Sequence, residues 1–168
     1  MANKWDLFPL GKKHNRLDFD CGMEPLNVFI KNLASQHQDK HVSRTTVATL
    51  AGTTIVKGYH TLSNGSVDLS VLPESERKRL PRHPVPVVTL GRLAVCKSVQ
   101  GQGLGDILLI DCLKKAHRIN KESGVYAVEV DAIDDNVIKF YAKYGFEQLL
   151  DNKRHLYLSM KTIDKLFA

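Results

Sequence analysis

Between Leu90 and Gly105 the chain reads L-G-R-L-A-V-C-K-S-V-Q-G-Q-G-L-G, and this stretch restricts the fold more than any other. An apolar, β-rich run ends at Val95 and a short polar loop follows. Gly101, Gly103 and Gly105 then alternate, and an apolar-periodic helix begins near Gly103. Strand, glycine loop and helix start, in that order, aim several backbone N–H groups at one point, at the positive end of a helix dipole. Such a place is a socket for phosphate. A Walker-type loop would need Lys and then Ser or Thr after its last glycine, and no Lys follows Gly105. In a dinucleotide fingerprint the third glycine comes one residue later, and the acidic ribose partner farther on is missing here. What remains is Gln100-x-x-Gly103-x-Gly105.

At 168 residues the chain is read as one domain, residues 1–168, large enough for a core of its own. No apolar run approaches a membrane span, and Trp5, Leu7 and Phe8 lie among charges and a proline rather than in a signal-peptide core. A cytoplasmic protein with no membrane contact is expected. Three cysteines, Cys21, Cys96 and Cys112, leave one over, which argues against a disulfide framework. Cys112 falls on the apolar side of a helix, and Cys96 reads as a small buried hydrophobe. The net charge of +6 favours an anionic partner. The basic residues cluster at Lys12, Lys13, His14 and Arg16; at Lys40, His41 and Arg44; at Arg77, Lys78, Arg79, Arg82 and His83; and at Lys114, Lys115 and Arg118. These clusters suit a nucleic-acid surface and equally suit solvated faces.

Taken in order, Asn15–Phe19 reads as a short first strand, and Leu26, Phe29, Ile30 and Leu33 line one face of a helix from Pro25 to near His37. His37-Gln38-Asp39-Lys40-His41 narrowly misses the zinc motif H-E-x-x-H, with Gln38 where the basic glutamate belongs, so no metal is expected. Thr45–Leu50 and Ile55–Leu62 form a hairpin, and Asn64-Gly65 marks a turn. Residues 66–84 are read mainly as loop, with one or two helical turns at Pro73–Lys78. Val87–Val95 is a buried central strand in which Gly91 signals a bulge or a close backbone approach. A helix over Gly103–Asn120 has a broad apolar face. Asp106 in its first turn should point away from bound phosphate. A strand over Val125–Ala132 precedes a helix capped near Asp134-Asp135-Asn136 and stopped at Gly145. Leu156–Met160 is the last strand and Ile163–Phe167 a closing turn.

Gln100-x-x-Gly103-x-Gly105 resembles the acyl-CoA pyrophosphate loop of the GNAT N-acetyltransferases. Phe140-Tyr141-Ala142-Lys143-Tyr144-Gly145-Phe146 resembles their late helix, which ends in Tyr-x-x-x-Gly-Phe. Pro84–Val95, Phe19–Ile30 and Ser43-Arg44-Thr45-Thr46 are similar to the toxin branch of the family, found in bacterial toxin–antitoxin pairs. The resemblance implies an α/β (α+β) fold: a central mixed, mostly antiparallel sheet with one splayed parallel pair, flanked by helices. It implies acetyl-CoA as acetyl donor, held by the backbone of Leu93, Ala94 and Val95 and by Gln100, Gly101, Gln102, Gly103, Leu104 and Gly105. Many members bond the cofactor through an asparagine seven residues before the helix tyrosine, where this chain has Asp134.

Acetyl transfer to an amine needs a neutral amine, a polarised carbonyl and a proton for the leaving thiolate. The Val95 N–H suits the oxyanion. A tyrosine hydroxyl, with an ordinary pKa of about 10, can donate to the thiolate. Tyr141 matches the family's tyrosine and is the catalytic candidate; from its helical face alone it would be core, beside Val137, Phe140 and Tyr144. No general base stands out, although Glu129 is a candidate. The toxin branch further implies an aminoacyl-tRNA substrate and a block on translation. It also implies a homodimer, a ribbon-helix-helix antitoxin, and contact with operator DNA only through that antitoxin. Acetylation of a small-molecule or protein amine is the alternative within enzymes. Outside them, the chain would be a catalytically silent partner in an antitoxin–DNA repressor.

Overall fold

The computed structural model describes residues 4–168. Seven strands form a mixed sheet in the order β1-β2-β3-β4-β5-β7-β6. They are β1 (Trp5–Pro9), β2 (Arg44–Leu50), β3 (Val56–Val67), β4 (Val85–Val95), β5 (Ala127–Asp131), β6 (Glu147–Gln148) and β7 (His155–Ser159). The helices are α1 (Glu24–Val28), α2 (Ala34–Asp39), α3 (Glu74–Arg77), α4 (Leu104–Ile119), α5 (Asp135–Ala142) and α6 (Met160–Leu166). A π turn, Phe29–Leu33, joins α1 to α2. The β1/β2, β2/β3, β5/β7 and β6/β7 pairs are antiparallel, and β4/β5 is parallel. This is the expected mixed, mostly antiparallel sheet. Among the described residues no helix is long and apolar enough to cross a membrane.

The chain divides into two compact units. The first takes residues up to Ser63 together with Gly91–Cys112. Its core joins Phe19, Phe29, Ile30, Val47, Tyr59, Ala94, Leu104 and Leu108. Gly58 brings α4 close to β3 here: a Cβ at that position would stand 2.9 Å from Leu108 Cδ1 and 3.0 Å from Leu104 Cδ2. A side chain there would force these buried leucines to shift, so the glycine lets the first turns of α4 pack this near the strand, and that contact holds the start of α4 in place.

The second unit takes Asn64–Leu90 and Leu113–Ala168, with Val67, Leu72, Val85, Val87, Ala127, Leu149 and Tyr157 as one core cluster. In it the parallel register runs from Val87↔Ala127 to Leu90↔Val130 and ends there. β5 instead stays committed to β7 through Asp131↔His155, and the Ala132 N–H donates to the Arg154 carbonyl at 2.8 Å.

Three expectations need correction. The first strand is Trp5–Pro9, not Asn15–Phe19. Asn15 makes only an isolated bridge to Ile55, while Phe19 is a buried core residue. β1 lies at the sheet edge, where Pro9 costs no ladder hydrogen bond. Asn64-Gly65 is not a turn, because β3 continues to Val67. A Cβ at Gly65 would stand 2.6 Å from Thr89 Oγ1, so the glycine serves close packing inside a strand. The segment after β3 is mainly loop with the short helix α3, as expected, and it is held in place: Leu72 is fully buried, the Leu150 N–H donates to the Val71 carbonyl at 2.8 Å, and the Tyr126 hydroxyl donates to Glu76. Finally, the C-terminal turn is the helix α6, whose N-cap Ser159 accepts from the Thr162 N–H.

Candidate functional site

In the first unit, the polar loop after β4 is tied to its surroundings residue by residue. The Cys96 N–H donates to the Lys57 carbonyl and the Lys97 N–H to the Asp20 carbonyl, each at 2.8 Å. The Gln100 side-chain amide donates to the carbonyls of Val95 (2.9 Å) and Cys21 (3.2 Å). Gln100 thus braces the loop with its side chain, a different use from the cofactor contact expected of it. Beyond this brace, Gly101 and Gly103 adopt φ of +81° and +84°, conformations that L side chains rarely take. A Cβ at either position would meet nothing within 4 Å, so the backbone is open there. The Gly103 carbonyl accepts the first helical bond, from Ile107 N–H at 3.1 Å. Leu104 and Gly105 then lie in the first turn, whose N–H groups have no intrahelical acceptor. Among the described residues no backbone acceptor engages the Gly101 or Gly103 N–H either. Open N–H groups at a helix start fit an anion of pyrophosphate type.

Lys57 and Lys97, which the sequence reading passed over, add positive charge beside this loop. Lys57 Nζ reaches Ser98 Oγ at 3.3 Å, and Lys97 Nζ lies 3.5 Å from Asp20 Oδ2. Leu93, Ala94 and Val95 form the end of β4, with Ala94 buried and its two neighbours half-buried against the core. Cys96 is buried as expected. Burial pushes its thiol up, but hydrogen bonds from the Asp20 backbone and Ser98, helped by Lys57, bring it below the usual thiol value.

In the second unit, Tyr141 is placed by both ends of α5. Asp134 caps the helix, its Oδ1 accepting from the Val137 N–H at 3.0 Å. Asp134 thus caps the helix at the position where the family resemblance implies a cofactor-binding asparagine. At the other end Gly145, at φ +95°, stops the helix and turns Phe146 back onto Tyr141, ring centroids 5.2 Å apart. Phe140 meets the same ring edge-on at 5.2 Å, and Tyr141 is buried.

Glu129 lies in a chain of polar groups in this second unit. Thr89 Oγ1 donates to Glu129 Oε1 at 2.7 Å, and His155 Nε2 meets Oε2 at 2.7 Å. His155 Nδ1 is 3.0 Å from both Asp151 carboxylate oxygens. Burial alone would lower the His155 pKa, but its bonds to Glu129 and Asp151 outweigh that and hold it above the ordinary value. Both Glu129 oxygens are thus engaged, which weakens its candidacy as a free base. No local motif could have flagged His155, because the β-register brings it to Glu129.

The basic clusters divide by use. Arg16 donates to the Ile30 carbonyl (3.0 Å) and Ser35 Oγ (3.1 Å), and His14 is buried with Nδ1 accepting from the Gly11 N–H. Arg79, Arg82, His83, Lys114 and Arg118 are exposed. The near-zinc segment is a structural joint: His37 packs edge-on to Phe29, while Gln38 donates to the Leu10 carbonyl and accepts from the Thr45 N–H.

Residues 42–148 match the family model described as acetyltransferase (GNAT) domain. A tRNA-acetylating toxin of Mycobacterium tuberculosis is 33% identical over 143 residues, 85% of this chain and 84% of that protein. The crystal structure of a tyrosine-to-phenylalanine variant of KacT superposes with a TM-score of 0.94 at 32% identity, covering 98% of this chain and 100% of that one. AtaT complexed with acetyl-methionyl-tRNAfMet gives 0.91 at 28% identity, covering 98% and 99%. AtaTR bound with AcCoA (TM-score 0.85, 31% identity, 98% and 99% covered) and the AtaT–AtaR complex bound to DNA (0.77, 29%, 97% and 99%) share the fold.

Proposed function

Since this chain belongs to the GNAT acetyltransferase family, we propose that it is a toxin that moves acetyl from acetyl-CoA to the α-amino group of aminoacyl-tRNA and so blocks translation. The observation that carries the donor half is the Gln100–Gly105 turn, where Gly101 and Gly103 hold positive φ and leave their backbone open at the start of α4. The N–H groups from Gly101 to Gly105 take the pyrophosphate, and Leu93, Ala94 and Val95 offer backbone to the pantetheine amides. The tRNA half is supported by the likeness to the M. tuberculosis toxin and to AtaT.

In the reaction, the amine nitrogen bonds the thioester carbon, the C–S bond breaks, and the amine's proton leaves to solvent. The Val95 N–H stabilises the oxyanion. Tyr141 gives its proton to the departing thiolate. An α-amine has a pKa of about 8, so a neutral fraction exists at neutral pH without a dedicated base. Residues 1–168 work as one catalytic domain in the cytoplasm, as a homodimer. A ribbon-helix-helix antitoxin restrains it and carries it to operator DNA; AtaT's complex with AtaR on DNA supports this.

Incubation with acetyl-CoA and total charged tRNA, followed by mass spectrometry of the aminoacyl adenosines, tests the proposal. Acetylated aminoacyl adenosine is the expected product. Acetylation of free amines or proteins with none on tRNA would overturn it. Tyr141→Phe should keep acetyl-CoA binding and lose about 10²–10⁴ in turnover.

A further inference from the structure

Arg92, the one charged residue inside the β4 segment Leu90–Val95, has no part in the chemistry above. Its guanidinium carbon lies 3.6 Å from the centroid of the Phe29 ring. The π turn presents that ring, Tyr59 stacks beneath it at 6.1 Å and 24°, and the Tyr59 hydroxyl is locked onto the Leu26 carbonyl at 2.7 Å. The platform is therefore rigid. A half-buried arginine normally spends its five N–H donors on a carboxylate or on carbonyls. Among the described residues Arg92 makes no ion pair and no hydrogen bond, only the ring contact. Its neighbour Gly91 is exposed. A Cβ there would stand 3.0 Å from Thr61 Oγ1, a buried hydroxyl that has no partner among the described residues. A fixed, planar, undischarged cation beside an open strand backbone is built to receive an oxyanion from outside the chain.

We propose that Arg92, held flat on Phe29, binds the phosphodiester on the 5′ oxygen of the terminal ribose of the acceptor tRNA. The inference rests on the tRNA reading above. That phosphate is the anion nearest the aminoacyl ester, and Arg92 directly precedes Leu93–Val95, the segment assigned to the pantetheine amides and, at Val95, to the oxyanion. Arg92 is thus a substrate-positioning residue, reading the nucleotide and not the amino acid.

Wild type, Arg92→Ala, Arg92→Lys and Phe29→Leu are compared on aminoacyl-tRNA and on an aminoacyl-nucleoside that lacks phosphate, at several salt concentrations. Arg92→Ala should lower the ratio of kcat/KM for aminoacyl-tRNA over that for the aminoacyl-nucleoside about ten- to a hundredfold, mostly through KM. It should also flatten the slope of log kcat/KM against log salt by about 0.7, as loss of one single-strand phosphate contact requires. Arg92→Lys should keep the slope and lose part of the ratio; Phe29→Leu should lower the ratio less than Arg92→Ala. Acetyl-CoA titration and melting of each variant separate these effects from misfolding. Equal loss on both acceptors, or an unchanged ratio and slope, would overturn the assignment. A wild type inactive on every aminoacyl-tRNA would instead defeat the reading beneath it, a result visible before any variant is made.

Discussion

The glycine turn Gln100–Gly105 and the Thr89–Glu129–His155–Asp151 chain both place polar groups with care, but by opposite means. In the turn, consecutive residues do the work through their backbone, with one side chain, Gln100, fastening it. In the chain, residues far apart in sequence do it through their side chains. Thr89 faces Glu129 in the β4/β5 register, and His155 faces Asp131 in the β5/β7 register, which makes it a diagonal neighbour of Glu129. The turn depends on permitted φ angles and open space; the chain depends on strand register. A substitution in the first should damage ligand binding before stability, and one in the second should do the reverse.

Gly103→Val separates the two most sharply. A β-branched residue at φ +84° is strained, yet its Cβ meets nothing, so the fold should survive. Acetyl-CoA affinity should drop about a hundredfold, or about 3 kcal/mol, by calorimetric titration. Unchanged affinity would remove the turn from the binding account. Glu129→Ala should do the converse, costing about 2 kcal/mol in denaturant unfolding by leaving His155 Nε2 and Thr89 Oγ1 without their partner, with acetyl-CoA affinity changed less than threefold. Gln100→Ala sits between them, with about 1 kcal/mol of stability lost and a several-fold fall in acetyl-CoA affinity.

The smallest effect is in pH dependence. His155 has a folded pKa raised above its unfolded value of about 6.5. The stability it contributes is therefore complete below about pH 6.5 and is lost as pH rises through the folded value. The Tm gap between wild type and His155→Gln should be widest near pH 6 and narrow toward pH 9. A gap that widens with pH would mean that His155 is neutral in the folded protein.

Elements with local signals were legible. The α4 boundaries, the Asp134 cap and the Gly145 stop follow from residues next to one another. Where a residue's purpose was a distant neighbour, the reading failed. Gly65 looked like a turn because Asn-Gly is a turn dipeptide, yet Thr89 across the sheet is what requires it. Gly58 drew no notice, although it admits Leu104 and Leu108 and so holds the start of α4. Trp5–Pro9 was overlooked because an edge strand tolerates a proline that argues against a strand in sequence.

The sequence by itself determined the open glycine turn at the start of α4, since φ freedom, N–H direction and helix polarity belong to consecutive residues and need no partner. It also determined the family, through motifs of the same local kind. Tertiary structure alone decided that Gln100 braces its loop, that both oxygens of Glu129 are occupied, and that Arg92 lies on Phe29 with its donors unspent. Each of these depends on which strands and helices meet and in what register, and that is settled by burial summed over the whole core.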